Sequence, residues 1–334
     1  MSGAACPVCG ATTAAPSLTA PDRLLGTPGR FWVAVCATCA TGVTLPPATP
    51  EQIAGYYPAG YGPFAGRPHP LVRAASAAIQ AGQRWSAHRR PPLDAIAALS
   101  PGRGVDVGCG RGDLAAGLIG RGWRMTGVEP SPDACAVART RGIDVREGVL
   151  ATVALESESY DAAVFQQSLE HVDDPVGDLR RTFAALRPGA TIAISVPHFG
   201  GWQARRFGGR WFHLDLPRHR VHFTAPALAR ALGEAGFTDV RTTTSTSAVG
   251  LWASVQYRIW GRCLFPDGLK LRVAAGLCAL GLPLAALADR VGGDGDVLHA
   301  TAVRPGGGLG VSAPSGVAGR PRGCPPRPGR GRDR

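Results

Sequence analysis

The sequence predicts an α/β protein built on a parallel sheet and preceded by a small cysteine-bearing module. Three observations carry this. Residues from about 96 to 246 alternate short apolar runs with helix-period patterns, as strands joined by crossover helices do. Within them, Val105-Asp106-Val107-Gly108-Cys109-Gly110-Arg111-Gly112 takes an apolar strand into tightly spaced glycines. Near the N-terminus, Cys6-Pro7-Val8-Cys9 and Cys36-Ala37-Thr38-Cys39 form two Cys-x-x-Cys pairs. With 334 residues, 45% of them hydrophobic, the chain can bury a sizeable core, which excludes wholesale disorder.

Taken in order, residues 1–45 form the cysteine module. Residues 46–95 are a Pro- and Tyr-rich connector leading into a lid helix at about 70–90, with Tyr56, Tyr57 and Tyr61 before it. These tyrosines either form an aromatic lid or anchor the module to the main domain. That domain spans 96–304 and includes a Trp-, Leu- and Ala-rich helical insertion at 247–296, followed by a last strand around Val297–Val303. Half of residues 305–334 are Gly or Pro, so this tail is expected to be disordered. No internal repeat is present.

Nine cysteines are too few for a disulfide scaffold, and the N-terminus has neither a basic nor an apolar leader region, so a cytoplasmic, reducing compartment is expected. The formal charge of +12 is weak support for a nucleic-acid partner. Lys270 is the only lysine, and residues 305–334 alone contribute +5, leaving +7 over the remainder.

The spacing of Cys6, Cys9, Cys36 and Cys39 offers four thiolates to one tetrahedral Zn²⁺, with a hairpin between the pairs. Four cysteines leave no open coordination position, so the site would be structural. Free thiols or a redox pair are the alternatives. A redox Cys-x-x-Cys would open a helix in a thioredoxin-like unit, a setting this segment lacks.

The glycine loop reads Gly-x-Gly-x-Gly rather than the dinucleotide pattern, and no Walker lysine follows it. Asp106 would repel a pyrophosphate and suits a cationic ligand. Glu129 ends the next strand, 19 residues after Gly110, where a carboxylate can accept both hydroxyls of a ribose.

At these residues the chain resembles the class I S-adenosylmethionine (SAM) methyltransferases. Val105–Gly112 is similar to their first motif, and Gly127-Val128-Glu129-Pro130 to the ribose-binding end of the second strand. Tyr160-Asp161-Ala162-Ala163-Val164 resembles the fourth strand, with Ser168-Leu169-Glu170-His171-Val172 after it. Leu186-Arg187-Pro188-Gly189 resembles the turn into the fifth strand. The stretch from Trp211 through Asp215, Pro217, His219 and His222 to Thr224 resembles a sub-group that also carries the four-cysteine module. The resemblance covers about 1–304.

It implies a doubly wound, Rossmann-like seven-stranded sheet of methyltransferase type, with its last strand antiparallel, and SAM as cofactor beside structural Zn²⁺. Gly108 and Gly110 would let the loop pass under the methionine part of SAM. Asp106 would order that loop and reach toward the ammonium, Glu129 would hold the ribose, and Gln166 would contact the methionine end. Val149 stands where the family often has an acid for the adenine amino group.

Methyl transfer to oxygen or carbon often needs a base near pH 7, and imidazole suits that task. His219 aligns with the His of a Tyr-x-Glu-His motif in sugar C-methyltransferases of this sub-group, although Leu216 and Arg218 replace the Tyr and Glu. His219 is therefore the first candidate base, Asp215 its candidate orienter, and His171 the second candidate. The alternative is that Pro217–His222 only shapes a pocket and that His171 caps a loop.

The expected acceptor is a small molecule, a glycan or a lipid-linked compound, methylated on O or C. Gln166-Gln167-Ser168-Leu169 is unlike the Asn-Pro-Pro-Tyr of base N-methylases. The competing readings are an RNA methyltransferase that binds substrate through the N-terminal zinc-ribbon-like module (the ribbon, residues 1–45), and a non-catalytic SAM-binding regulator. The apolar stretch 273–288 would span about 24 Å as a helix, short of the roughly 30 Å of a bilayer core, so no transmembrane helix is expected. Residues 252–288 could rest peripherally on a membrane surface or pack on the protein's own sheet.

Overall fold

The computed structural model describes residues 4–57, 93–262, 287 and 294–306. The lid helix, Tyr61, most of the 247–296 insertion beyond residue 262 and nearly all of the 305–334 tail lie outside the described residues.

Strands β4 (Arg103–Val107), β5 (Arg124–Glu129), β6 (Asp144–Glu147), β7 (Tyr160–Gln166), β8 (Leu186–Pro197), β10 (Thr238–Ser245) and β11 (Val297–Val303) form one sheet in the order β10-β11-β8-β7-β4-β5-β6. The pairs from β8 to β6 are all parallel, whereas β11 runs antiparallel to both β8 and β10. Central strands of such a sheet are covered on both faces, so they read as continuous apolar runs. In β7, Ala162, Ala163, Val164 and Phe165 are all buried. From β4 the chain winds outward through β5 and β6, then crosses back to β7 on the other side of β4. The crevice at the C-terminal ends of β4 and β7 is thus the point at which the order reverses, where sheets of this type bind ligands.

Connecting helices begin at side-chain caps that the sequence supplies. Ser131 accepts the Ala134 N–H ahead of the helix Pro132–Arg139, and Asp174 accepts the Gly177 N–H ahead of Pro175–Ala185. Thr224 does the same for Ala225–Glu234. In all three, proline stands at the start of the first turn, where its missing N–H costs no hydrogen bond.

The N-terminal module is a second, antiparallel sheet of β1 (Pro16–Ala20), β2 (Phe31–Val35) and β3 (Gly42–Leu45). Its fourth strand, β9 (Val221–His222), comes from the main domain and pairs with β3. The two sheets share a core: Cys6, Val8, Cys36 and Cys39 pack in the same buried cluster as Phe165, Leu169, Ile194, Val221 and Phe223. On the other side, Phe31 and Val33 pack with Trp211, Leu214 and Leu216.

One buried ion cluster crosses this junction. Arg218, 1% exposed, donates to both oxygens of Asp22 in the β1–β2 loop at 2.7 and 2.8 Å and to Asp215 at 3.0 Å. Asp22 also accepts the amides of Leu24, Leu25 and Thr27. Burial works against its ionisation, but Arg218 and these amides prevail and hold its carboxyl at about 2. Removing one partner of a buried pair leaves a charge without compensation. Asp22→Ala is expected to cost about 3 kcal/mol or more in denaturant unfolding; a loss below about 1 kcal/mol would show that the junction does not depend on it.

Candidate functional site

The first half of the site lies at the end of β4. Asp106 is 1% exposed and its Oδ1 has no partner. Burial, reinforced by the charge of Glu129, pushes its carboxyl up to about 7. Glu129, also buried, accepts the Gly110 N–H on Oε2 and the Ser131 N–H on Oε1, both at 2.9 Å. Burial still raises it above the usual carboxylate range. Each of these oxygens keeps a lone pair for a further donor.

The backbone of Gly108 and Gly110 follows from local geometry. Gly108 has φ 72°, and a Cβ there would lie 2.4 Å from the Ser168 side chain, which donates to the Val107 carbonyl at 2.6 Å. Any side chain at Gly108 would push the two strand ends apart. Gly110 has φ 53° with no atom near the place a Cβ would take, so its left-handed turn is required and the space above it is open. Gln166 is exposed at the end of β7, beside this cradle. Asp106, Gly108, Gly110 and Glu129 are thus gathered at one strand end, with Gln166 on the adjacent strand.

The second half is a cluster of imidazoles around the short turn that follows β7. His171 and His219 meet edge to face with ring centroids 4.7 Å apart. His219 Nδ1 lies 2.9 Å from the His213 carbonyl, and His171 Nδ1 lies 3.2 Å from the Arg218 carbonyl and 2.9 Å from the Tyr57 hydroxyl. A carbonyl only accepts, so His219 Nδ1 carries the proton and its Nε2 presents a lone pair; His171 Nδ1 faces both a carbonyl and the Tyr57 hydroxyl, which can donate as well as accept. Burial lowers the basicity of both rings, that of His219 strongly, with further depression from the neighbouring His171 and His222.

His219 Nε2 is flanked by Glu170 Oε1 at 4.0 Å and Asp215 Oδ2 at 3.8 Å. Neither is a hydrogen bond. The His213 carbonyl orients His219, while Asp215, held by Arg218, contributes charge from a distance. The sequence reading passed over Glu170 as a functional group. It is 1% exposed, neither carboxylate oxygen has a partner, and burial pushes it to about 8. Its sequence signal was a charged residue between the apolar Leu169 and Val172, directly before His171.

The ribbon fixes the segment that carries His219. Thr44 on β3 donates its hydroxyl to the His219 carbonyl at 2.6 Å and lies 2.8 Å from His222 Nε2. Its amide bonds the Arg220 carbonyl. Tyr57, by reaching His171, anchors the connector to the same cluster, and Tyr56 stacks edge-on against Phe31 of the ribbon.

The four ribbon thiols converge. Cys6 and Cys39 sulfurs lie 3.5 Å apart, as do those of Cys9 and Cys36, and all four ligand atoms fall within 4.8 Å of one another. Burial opposes ionisation of Cys36, but the amides of Cys39 and Thr38 and the Cys9 thiol bring it down to about 6. The other three thiols are raised, chiefly by burial. Converging sulfurs at hydrogen-bond rather than disulfide distance fit a tetrahedral cation.

A methyltransferase-domain family model matches residues 81–242. A ubiquinone biosynthesis O-methyltransferase of Methylobacterium sp. is 34% identical over 174 residues, 47% of this chain and 67% of that protein. One of the same name from Marinobacter nauticus is 31% identical over 113 residues, 31% of this chain and 48% of that protein. The chain spans about half the length of most of the curated relatives it matches. Among solved structures, a SAM-dependent methyltransferase from Thermotoga maritima aligns with 64% of this chain and 87% of its own, at 21% identity and a TM-score of 0.44.

Asp106 yields a test with a defined sign. Its carboxyl titrates near 7 in the folded chain and near 4 when unfolded, so burial becomes a penalty as pH rises between those values and reaches its full size above 7. Asp106→Asn is therefore expected to stabilise the ligand-free chain at pH 8, by up to about 4 kcal/mol, with little gain at pH 4. Equal stability of the two proteins at pH 8 would show that Asp106 is already compensated.

Proposed function

Since this chain belongs to the SAM-dependent methyltransferase family, we propose that it transfers the methyl group of SAM to a hydroxyl of a small-molecule, glycan or lipid-linked acceptor. The observation that carries the reading is the cradle at the switch point, where two buried carboxyls, one with an orphaned oxygen, flank an open left-handed glycine turn. That donor set fits SAM better than a dinucleotide. Asp106 offers a negative charge to an ammonium, directly or through water, and Glu129 has lone pairs left for the ribose hydroxyls. Gly110 leaves room above the loop, and Gln166 stands exposed at the methionine end. Bound there, SAM supplies an electrophilic methyl on a sulfonium.

The chain's own residues then have two tasks. One is to hold acceptor and methyl donor in line, which supplies much of the rate in a displacement of this kind. The other is to manage the hydroxyl proton, and the His171–His219 pair, with the His219 Nε2 lone pair presented, is placed to do so beyond the end of β7. Oxygen is the acceptor atom favoured by the names of the relatives. Carbon is less favoured because Leu216 and Arg218 replace the Tyr and Glu of the sugar C-methylating pattern, and Arg218 is committed to its two aspartates.

In the same reading the ribbon holds structural Zn²⁺ on Cys6, Cys9, Cys36 and Cys39 and acts as a scaffold. Its edge strand β3 is paired with β9, which speaks against a ribbon held free for RNA. We place the enzyme in the cytoplasm, with peripheral membrane contact through 252–288 as the route to a lipid-linked acceptor. Ile259 and Trp260, 60% and 49% exposed, begin that surface, and among the described residues no helix is long and apolar enough to cross a membrane.

Methyl-tritiated SAM incubated with host extract should label the lipid or small polar fraction, and His219→Ala should cut that transfer at least tenfold while SAM affinity by calorimetry is kept. Label in RNA would favour an RNA methyltransferase, and SAM binding without any transfer would favour a regulator. Cys36→Ala is expected to release one equivalent of zinc by elemental analysis and to lower Tm; unchanged metal content would remove zinc from the ribbon.

A further inference from the structure

We propose that Asp296 and His213 are positioning residues of the site: Asp296 steadies the His213 ring, and the His213 carbonyl in turn decides which nitrogen of His219 carries the proton. The inference deepens the proposed function and rests on it for the rate of transfer, whereas the setting of His219 does not depend on it.

The carbonyl that orients His219 belongs to a turn with little stiffness of its own. Phe212–Leu214 is a single 3₁₀ turn without a side-chain cap, and hydrogen bonds in such turns are poorly aligned. It runs into Asp215, whose φ of 35° is left-handed, a conformation that a non-glycine residue keeps only where its surroundings hold it. Arg218 supplies that hold on one side, through the Asp215 carboxylate. The other side needs a second anchor. If the His213 carbonyl swung away from Nδ1, the His219 ring would be free to carry its proton on either nitrogen.

Asp296 is placed to be that anchor. Its side chain is fully buried, one residue before β11 and beside the end of β8. Oδ1 accepts the Ser247 N–H at 2.6 Å, at the start of the helix Ala248–Trp260. Oδ2 lies 3.3 Å from His213 Nε2, and neither atom has an aligned hydrogen bond among the described residues. A buried carboxylate oxygen without a donor is costly, so Oδ2 draws the Nε2 edge of the His213 ring towards it. The backbone of the same turn is held from the same helix. The Phe212 N–H donates to Ser254 Oγ at 2.9 Å, and that hydroxyl donates to the Gly250 carbonyl at 2.7 Å. Trp211 and Phe212 flank the His213 ring, with centroids 5.9 and 5.2 Å from its own.

Gly250 allows the close approach. A Cβ there would fall 2.4 Å from His213 Nε2 and 2.7 Å from Asp296 Oδ2, so a side chain would wedge the pair apart. Its φ is not positive, so the approach of helix to ring, rather than a left-handed turn, is what glycine serves here.

In the transfer step the acceptor O–H bond breaks and His219 Nε2 takes the proton. The acceptor oxygen forms the new O–CH₃ bond, and the S–CH₃ electron pair stays on sulfur. A His219 ring already protonated on Nε2 cannot accept that proton. Loosening the His213 turn therefore lowers the competent fraction of the enzyme and leaves its affinity for SAM alone.

The test uses the full chain, uniformly ¹⁵N-labelled, with the His219 ring assigned by its loss in His219→Ala. Long-range ¹H–¹⁵N correlation should find His219 protonated on Nδ1 alone. Two variants then disturb the pair in different ways. Asp296→Asn replaces one carboxylate oxygen by an N–H donor. Gly250→Ala keeps the carboxylate and wedges the pair apart, although alanine is the better helix former. In each, His219 should pass to a mixture of tautomers. The maximal rate of label transfer from methyl-tritiated SAM into host extract should fall about threefold or more, a part of the ~100-fold that a positioned base supplies. KM for SAM and its calorimetric affinity should change by less than about twofold. A His219 protonated on Nε2 in the unaltered chain, or on Nδ1 alone in the folded variants, overturns the inference. Should Asp296→Asn fail to fold, Gly250→Ala decides. Released tautomers at an undiminished rate also overturn it, and leave the methyltransferase reading standing. Released tautomers in a protein whose unaltered form transfers no label keep the positioning of His219 and remove the reading.

Discussion

The Arg218 guanidinium, enclosed by Asp22 from the ribbon and Asp215 from the main domain, is the contact on which the arrangement of the site depends. Among the described residues, the strand pairing that joins the N-terminal module to the main domain is β3 against the two-residue β9, too short to set an orientation by itself. A planar donor with fixed directions, buried and bonded to two carboxylates, adds the angular restraint that pairing lacks. Thr44 extends the restraint along the segment that follows Arg218, gripping the His219 carbonyl and the His222 ring. His219 thus owes its position to a hairpin far away in sequence, and the four-thiol cluster of the N-terminal module is mechanically continuous with the end of the sheet that carries the imidazoles.

The cleft is acidic although the chain carries +12. Asp106 and Glu129 lie buried at the end of β4, and Glu170 lies buried beyond the end of β7. Burial drives all three carboxyls upward, and among the described residues none is paired with a guanidinium. Such groups lower the stability of the free chain and raise its affinity for positive charge, the exchange expected of a site whose ligand is cationic. The arginines are spent elsewhere, at the ribbon junction and on exposed rims such as Arg103 with Glu156 and Arg187 with Asp161.

Those two halves divide the labour of the proposed reaction. The β4 side selects the cofactor through charge and through a glycine turn that no side chain could occupy. In that proposed division the β7 side handles the acceptor with two imidazoles, of which His219 is oriented by the His213 carbonyl. Chain connectivity joins the halves tightly, because Ser168, two residues before Glu170, bonds the carbonyl that precedes Gly108.

Much of this was legible in the chain alone. Strand β11 was expected at Val297–Val303 and is found there, and the cradle residues Asp106, Gly108, Gly110 and Glu129 are close in sequence to the turns that position them. Local rules suffice in such cases, because apolar periodicity and glycine spacing act over a few residues. Two Cys-x-x-Cys pairs likewise announced their convergence, since each knuckle is a local turn and a hairpin joins them. What only tertiary structure decided involves partners far apart in the chain. Arg218 read as a departure from a motif until Asp22, 196 residues away, was seen beside it. Glu170 stands in the sequence only as the residue before His171, and its burial beside His219 with both oxygens unpartnered belongs to the folded chain. Burial and charge balance are sums over everything that surrounds a group, and a sequence lists neighbours only along the chain.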